Sequence, residues 1–219
     1  MSEITISENN NQRQESITSV FELTSPANTP IFIEVPITDD INFEYIQLDL
    51  ERLNKIKKTS FWTYLLTALQ PHLRFGDTLS IDNLVSYYPS YEQPLFNMKS
   101  SLHFFVEKIY NWILKVINEQ DTNIDKKIKH IVSLCLEKEK ILTDEMYLTI
   151  IKLLRKNPSK ECEERTWQLL ACVSNSLLPS ETFIYPLYNY YVNVIDNHPE
   201  DRQKEWARYC IKRLNKKII

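Results

Sequence analysis

The residues of this 219-residue chain whose types could do chemistry are four histidines (His72, His103, His130, His198), four cysteines (Cys135, Cys162, Cys172, Cys210) and the neighbouring carboxylates Asp144 and Glu145. Acid–base catalysis needs a histidine within reach of a nucleophile or a carboxylate, and none of the four has such a partner at a diagnostic spacing. The cysteines form no C-x-x-C pair and have no histidine at metal-ligand spacing. Each falls in an apolar helical pattern, so they read as buried free thiols, and no metal is expected. Asp144-Glu145 has the composition of a catalytic carboxylate pair, but acidic residues gathered at a helix start explain it with less. No catalytic residue is assigned. The single glycine, Gly76, narrows the choice further, because phosphate cradles, dinucleotide fingerprints and nucleophile elbows need glycine where backbone meets ligand. No cofactor is expected.

What remains is recognition through charge. The net charge of −3 is unevenly spread: the first sixty residues hold five Lys/Arg against ten Asp/Glu, and the rest hold 21 against 19. Such a near-neutral body lacks the strongly basic face of a general nucleic-acid binder. Its candidate partner-binding residues fall in three groups: Lys126, Lys127 and Lys129; Arg155, Lys156 and Lys160; Lys212 and Arg213, followed by Lys216 and Lys217. Each group is also what a solvated helix face looks like. Tyr185, Tyr188, Tyr190 and Tyr191 could stack on bases, yet their helical spacing favours packing.

The elements that position these residues are helices. Residues 1–40 are expected to be a disordered or extended arm, rich in Ser, Thr, Asn, Gln and Glu, with "PIFIEVPI" (Pro30–Ile37) carrying a strand-like alternation that Pro36 limits. Residues 41–98 read as a helical lead and a long loop: Ile46, Leu50, Leu53 and Ile56 share one face, Phe61, Leu65, Leu66 and Leu69 another, and Pro71, Pro89 and Pro94 punctuate the loop. From 99 to 217 the period is helical throughout. Leu102, Phe105, Val106, Ile109, Ile113 and Val116 mark one helix and Ile124, Ile128, Ile131 and Cys135 the next. Met146 or Tyr147 with Ile150, Ile151 and Leu154 marks a third, ending at Asn157-Pro158. Asn157 is expected to cap the following helix with Pro158 at its first position, and that helix, "WQLLACV" at its heart, to be the centre of the bundle. Phe183, Ile184, Leu187, Tyr191 and Val194 describe another, its start delayed or kinked by Pro186; Trp206, Ala207, Cys210, Ile211 and Leu214 describe the last. The expected fold is all-α, a compact bundle of about six to eight helices. No stretch has the apolar core of a signal peptide or the length of a membrane span, so an intracellular, cytoplasmic setting is expected.

Five pieces of sequence, in order, carry a resemblance: "LTDEMY" (Leu142–Tyr147), "NPS" (Asn157–Ser159), "RTWQLL" (Arg165–Leu170), "LPSE" (Leu178–Glu181) and "ARYCIKRL" (Ala207–Leu214). They are similar to the signature of the myosin tail homology 4 domain, over about Ser100 to Leu214 and with a domain start possible as early as residue 60. The resemblance implies structural roles for Asp144, Glu145, Tyr147, Asn157, Pro158, Arg165, Trp167, Pro179 and Ser180. In particular, it places Arg165 across from Asp144 or Glu145 with Trp167 filling the core beneath. This chain departs from the pattern at Thr143, in place of an arginine expected at a surface site, at Thr166, in place of a glycine, and at Thr149 and Leu153, in place of glutamines. The resemblance implies a noncatalytic, cytoskeleton-associated interaction module. Its partners would be microtubules or another cytoskeletal protein, with a FERM-type or motor protein acting in trans. The alternative is a peripheral membrane or signalling adaptor that uses the same basic surface.

Overall fold

The structure, a computed structural model, describes residues 18–24, 30–36, 70–73, 87–118 and 124–217. The helices expected over 46–56 and 61–69 lie outside these residues. Within the N-terminal arm, β1 (Thr18–Thr24) pairs antiparallel with β2 (Pro30–Pro36), in a register running from Thr18 opposite Pro36 to Thr24 opposite Pro30. The alternation in "PIFIEVP" thus has a partner, and both prolines stand at the strand's ends, where a missing N–H costs the ladder least.

A 3-10 turn (Gln70–His72) leads to Leu73, which bridges to Phe96, and the Asn97 N–H reaches the His72 carbonyl at 2.7 Å. Six α-helices come after it among the described residues: α1 (Ser100–Ile117), α2 (Ile124–Glu137), α3 (Lys140–Leu154), α4 (Lys160–Ser176), α5 (Glu181–Asn197) and α6 (Asp201–Asn215). Their connections are short, so the chain turns back between consecutive helices, with α4 and α5 meeting through the Trp167–Tyr190 and Ser174–Tyr191 side-chain pairs. Side-chain pairs fix the order of the two ends. The Trp112 and His130 rings lie 5.7 Å apart and Lys138 lies over Phe105, which sets α2 antiparallel to α1. Glu164 meets Arg202 and Trp206 while Ser174 meets Lys217, which sets α6 parallel to α4. One end of the bundle therefore collects the C-termini of α1, α3 and α5 with the N-termini of α2, α4 and α6.

The most buried helix is α3, in which every residue from Leu142 to Leu154 is buried; α4 shares the centre through Thr166–Ser174. Sequence periodicity pointed to α4 alone, because Thr143, Asp144, Glu145, Thr149 and Lys152 give α3 a polar look although they are buried too. Among the large side chains with almost no exposure are Tyr147, Trp167, Phe183 and Tyr191. Removing an aliphatic or aromatic side chain of that size from water stabilises by roughly 1.5–3 kcal/mol, so residues of this kind hold α3, α4 and α5 together. Trp167 stacks on Tyr190 with centroids 6.1 Å apart and planes 16° from parallel. Tyr185, Tyr190 and Tyr191 are core residues, Tyr191 sharing a 2.8 Å hydrogen bond with Ser174. All four cysteines are free and buried, and burial pushes the Cys135 and Cys210 thiols up to about 12.

Two boundaries differ from the sequence reading. The cap of α4 is Ser159, whose Oγ accepts from the Cys162 N–H, and the helix begins at Lys160. Asn157 acts two residues earlier, its amide donating to the Leu153 carbonyl while its oxygen accepts from the Ser159 N–H, so it closes α3 and turns the chain towards α4. Pro158 belongs to that turn. Pro186 neither delays nor ends α5; it lies in the helix's second turn, where the carbonyl it leaves unbonded is that of the exposed Thr182.

Candidate interaction surface

The acidic dipeptide is structural, and its partners are backbone. On one side of α3, Lys140, Asp144 and Tyr147 follow the i, i+4, i+7 spacing of a single face. All three grip the α4–α5 connection. Lys140 Nζ donates to the Leu178 carbonyl at 3.1 Å and the Tyr147 hydroxyl to the Leu177 carbonyl at 2.8 Å. Asp144 accepts from the Ser180 N–H at 2.8 Å and from its hydroxyl at 2.5 Å. Ser180 in turn caps α5 by accepting from the Phe183 N–H, and Pro179 before it is buried. Glu145 faces the other way and takes both the Leu95 and Phe96 N–H groups at 2.8 Å, pinning Pro94-Leu95-Phe96 to the core. Burial raises both carboxyls despite these bonds, Asp144 to about 6 and Glu145 to about 7.

Arg165 does not meet either acid. Its Nε donates to the carbonyl of Ile117, the last residue of α1, at 2.5 Å. The expected Arg165–Asp144/Glu145 bridge is therefore replaced by a cation on a helix C-terminus, where the dipole favours it. The two acids stand at the head of α3, whereas Arg165 sits at the end of the bundle that holds α3's tail. Trp167 fills the core as expected, 2% exposed. Position 143 is buried rather than on the surface, with Thr143 at 2% exposure, and the Thr166 hydroxyl bonds back to the Cys162 carbonyl at 2.6 Å.

Two of the three basic groups share one end of the bundle. Lys126 and Lys129 are exposed and Lys127 half-buried on the first turns of α2, level with the end of α1; Arg155, Lys156 and Lys160 form the α3–α4 corner at the same end. Lys212 and Arg213 lie at the opposite end, on the last turn of α6, where Arg213 covers the Tyr209 ring and Lys217 donates to the Ser174 carbonyl. Burial and the charges of Lys140 and Arg213 push the Lys217 amine down to about 7. Sequence reading had no means of separating the ends, since helix direction alone decides it.

At the shared end the corner opens onto a pocket of about 400 Å³. Leu154, Trp167, Tyr190 and Val194 form its apolar wall; Arg155, Lys156, Lys160, Glu163, His198 and Glu200 stand around it. Lys160 pairs with Glu200 across two chain corners. Lys156 has φ of 55°, in the left-handed region that glycine favours, and is alone in this among the described residues. His198 Nδ1 accepts from the Glu200 N–H at 3.2 Å, and burial lowers its pKa, so the neutral ring carries its proton on Nε2. Neither the pocket nor the left-handed lysine was foreseen from the sequence, although a corner in a chain almost devoid of glycine was a place to look.

The family model of the MyTH4 domain matches residues 128–219. No curated protein matches the chain. Among solved structures, the MyTH4-FERM MF1 domain of Dictyostelium discoideum myosin VII superposes with a TM-score of 0.62 at 20% identity, covering 78% of this chain and 35% of that one. The MF2 domain of the same myosin, in a mutant form, gives 0.59 at 19% identity, covering 69% and 33%. The C-terminal MyTH4-FERM domain of human myosin 7b, solved in complex with the harmonin-a PDZ3 domain, gives 0.57 at 24% identity, covering 69% and 31%. The chain spans about a third of the length of these solved chains, and the likeness is one of fold. The ordered signature falls inside the stretch that the family model matches, and over residues 128–219 the chain matches the MyTH4 domain family.

Proposed function

We propose that this domain is a noncatalytic, cytoskeleton-associated protein-interaction module that presents the basic end of its bundle to an acidic partner surface. The partner is a microtubule or another cytoskeletal or motor protein, with a FERM-type companion in trans. The observation that supports the reading is that helix direction puts Lys126, Lys127 and Lys129 at the same end of the bundle as Arg155, Lys156 and Lys160. Lysines brought together from two helix starts and a corner raise the local potential more than either group alone. The human myosin 7b neighbour, captured with a PDZ domain, supports a protein as partner. Among the described residues no helix is long and apolar enough to cross a membrane, and a peripheral lipid-binding role would use the same lysines.

The test is co-sedimentation of the full chain with stabilised microtubules over a salt series, with anionic phosphatidylserine vesicles in parallel. Pelleting with microtubules that weakens as salt rises, without vesicle capture, is the expected result. Capture by vesicles alone would replace the reading with the membrane adaptor, and pelleting with neither would withdraw the microtubule as partner.

A further inference from the structure

The pocket at the α3–α4 corner combines two kinds of surface that a general electrostatic contact does not require. Its wall is Leu154, Val194 and the stacked pair Trp167 and Tyr190, and about 400 Å³ is room for one large apolar side chain with the backbone that carries it. Its rim carries three cations, Arg155, Lys156 and Lys160, supplied within six residues of one another by the same corner. Of the two acids beside them, Glu200 is engaged by Lys160. His198 adds a donor, since the bond its Nδ1 accepts leaves Nε2–H as the ring's other polar atom. An occupant with an apolar group and nearby negative charge would match both surfaces; the three cations outnumber the two acids Glu163 and Glu200, so the rim disfavours a cation, and a purely apolar ligand would leave the rim unused.

We propose that this pocket is a docking site for a short acidic peptide segment of a partner protein, which seats one aromatic or large aliphatic side chain over Leu154, Tyr190 and Val194, with Trp167 as the floor behind them, and places adjacent carboxylates on the Lys156 and Arg155 side. The inference rests on the interaction role proposed above and narrows it from a charged face to a shaped site. Lys160–Glu200 bounds the site on the α6 side, and the incoming carboxylate competes with Glu200 for Lys160. Lys156 is the residue that the corner places most openly: it is exposed, and its left-handed backbone is held where glycine would be easier.

A random peptide library displayed on phage and selected against the full 219-residue chain tests this. Peptides enriched in Asp or Glu beside Phe, Trp or Leu are expected, with affinities that fall about tenfold or more in both Val194→Trp, which fills the pocket without changing charge, and Lys156→Glu, which changes charge without filling it. Lys212→Glu, at the far end, leaves them unchanged. Selection of nothing, enrichment of basic or neutral peptides, or equal binding to Val194→Trp overturns the proposal. If circular dichroism shows that Val194→Trp does not fold, Val194→Phe and Lys156→Glu decide in the same way. Microtubule pelleting of Val194→Trp separates the two readings: retained pelleting with lost peptide binding supports the pocket beside a broader basic face, and lost pelleting with undiminished peptide binding overturns the pocket while leaving a role for charge.

Discussion

Replacing Glu145 by glutamine tests how the core of this domain is held. The Glu145 carboxylate is 3% exposed and accepts one backbone N–H on each oxygen, both at 2.8 Å. Glutamine keeps the shape but offers one oxygen, so its amide N–H₂ must face either the Leu95 or the Phe96 N–H. A buried donor left unpaired costs about 1–3 kcal/mol. If the segment lifts to escape, buried Leu95 and Phe96 lose packing instead, roughly 1.5–3 kcal/mol each, so relaxation is no cheaper than the clash. At pH 8, where Glu145 is ionised and both oxygens accept, we expect a loss of about 2–4 kcal/mol, read as a fall in Tm on the order of 6–12 °C by circular dichroism and shrinking as pH falls below about 7. Asp144→Asn is the control. Its remaining oxygen keeps the Ser180 N–H, and its new amide can donate to the Ser180 hydroxyl, whose second lone pair already serves the Phe183 N–H. That exchange costs about 1 kcal/mol or less. Equal losses for the two variants, or a loss below about 1 kcal/mol for Glu145→Gln, would refute the view that the acids differ because one meets two fixed donors and the other meets one that can turn.

The same geometry makes further outcomes testable. Lys156→Gly relieves a left-handed lysine and should stabilise by roughly 0.5–1 kcal/mol in thermal melts while weakening binding at the corner, a gain in stability with a loss of function. Arg165→Ala removes a charged donor from the end of α1 and should cost about 1.5–3 kcal/mol in urea unfolding, with no change in the Asp144 and Glu145 bonds it does not touch. Asp144 and Glu145 bind protons more tightly folded than unfolded, so their contribution is greatest below the ordinary values of 3.8 and 4.5 and is lost as pH rises through about 6 and 7. Lys217, lowered from 10.5 to about 7, contributes in the opposite sense, with stability present above 10.5 and lost as pH falls through 7. A plot of unfolding free energy against pH should therefore dip near neutrality, with the acid side flattened in Glu145→Gln and the alkaline side flattened in Lys217→Met.

The helical elements were legible because their apolar positions recur at helical spacing and their ends carry Ser, Asn and Pro in usable places. Val106, Ile109 and Ile113 on α1, and Cys210 with Leu214 on α6, face the core as the period requires. The partners of Asp144 and Glu145, though not their structural character, were misassigned for a physical reason: a sequence displays charged side chains and conceals backbone donors, so Arg165 looked like the natural partner. The signal was present in "QPLF" and "LPSE", two segments that supply the donors, 50 and 36 positions from their acids. For α3 the failure was of another kind, since a helix buried on every side from Leu142 to Leu154 has no exposed face to betray its orientation. Of the basic groups, composition could name the members but only helix direction could say that two share an end and the third does not.

The most direct test of that last arrangement is microtubule affinity measured by co-sedimentation for two charge-reversed forms of the full chain. One carries Lys126→Glu, Lys129→Glu, Arg155→Glu and Lys156→Glu, and the other Lys212→Glu and Arg213→Glu. A loss of about tenfold or more confined to the first form is what a binding surface at the shared end predicts. Equal affinity in both forms, or a loss confined to the second, would contradict it.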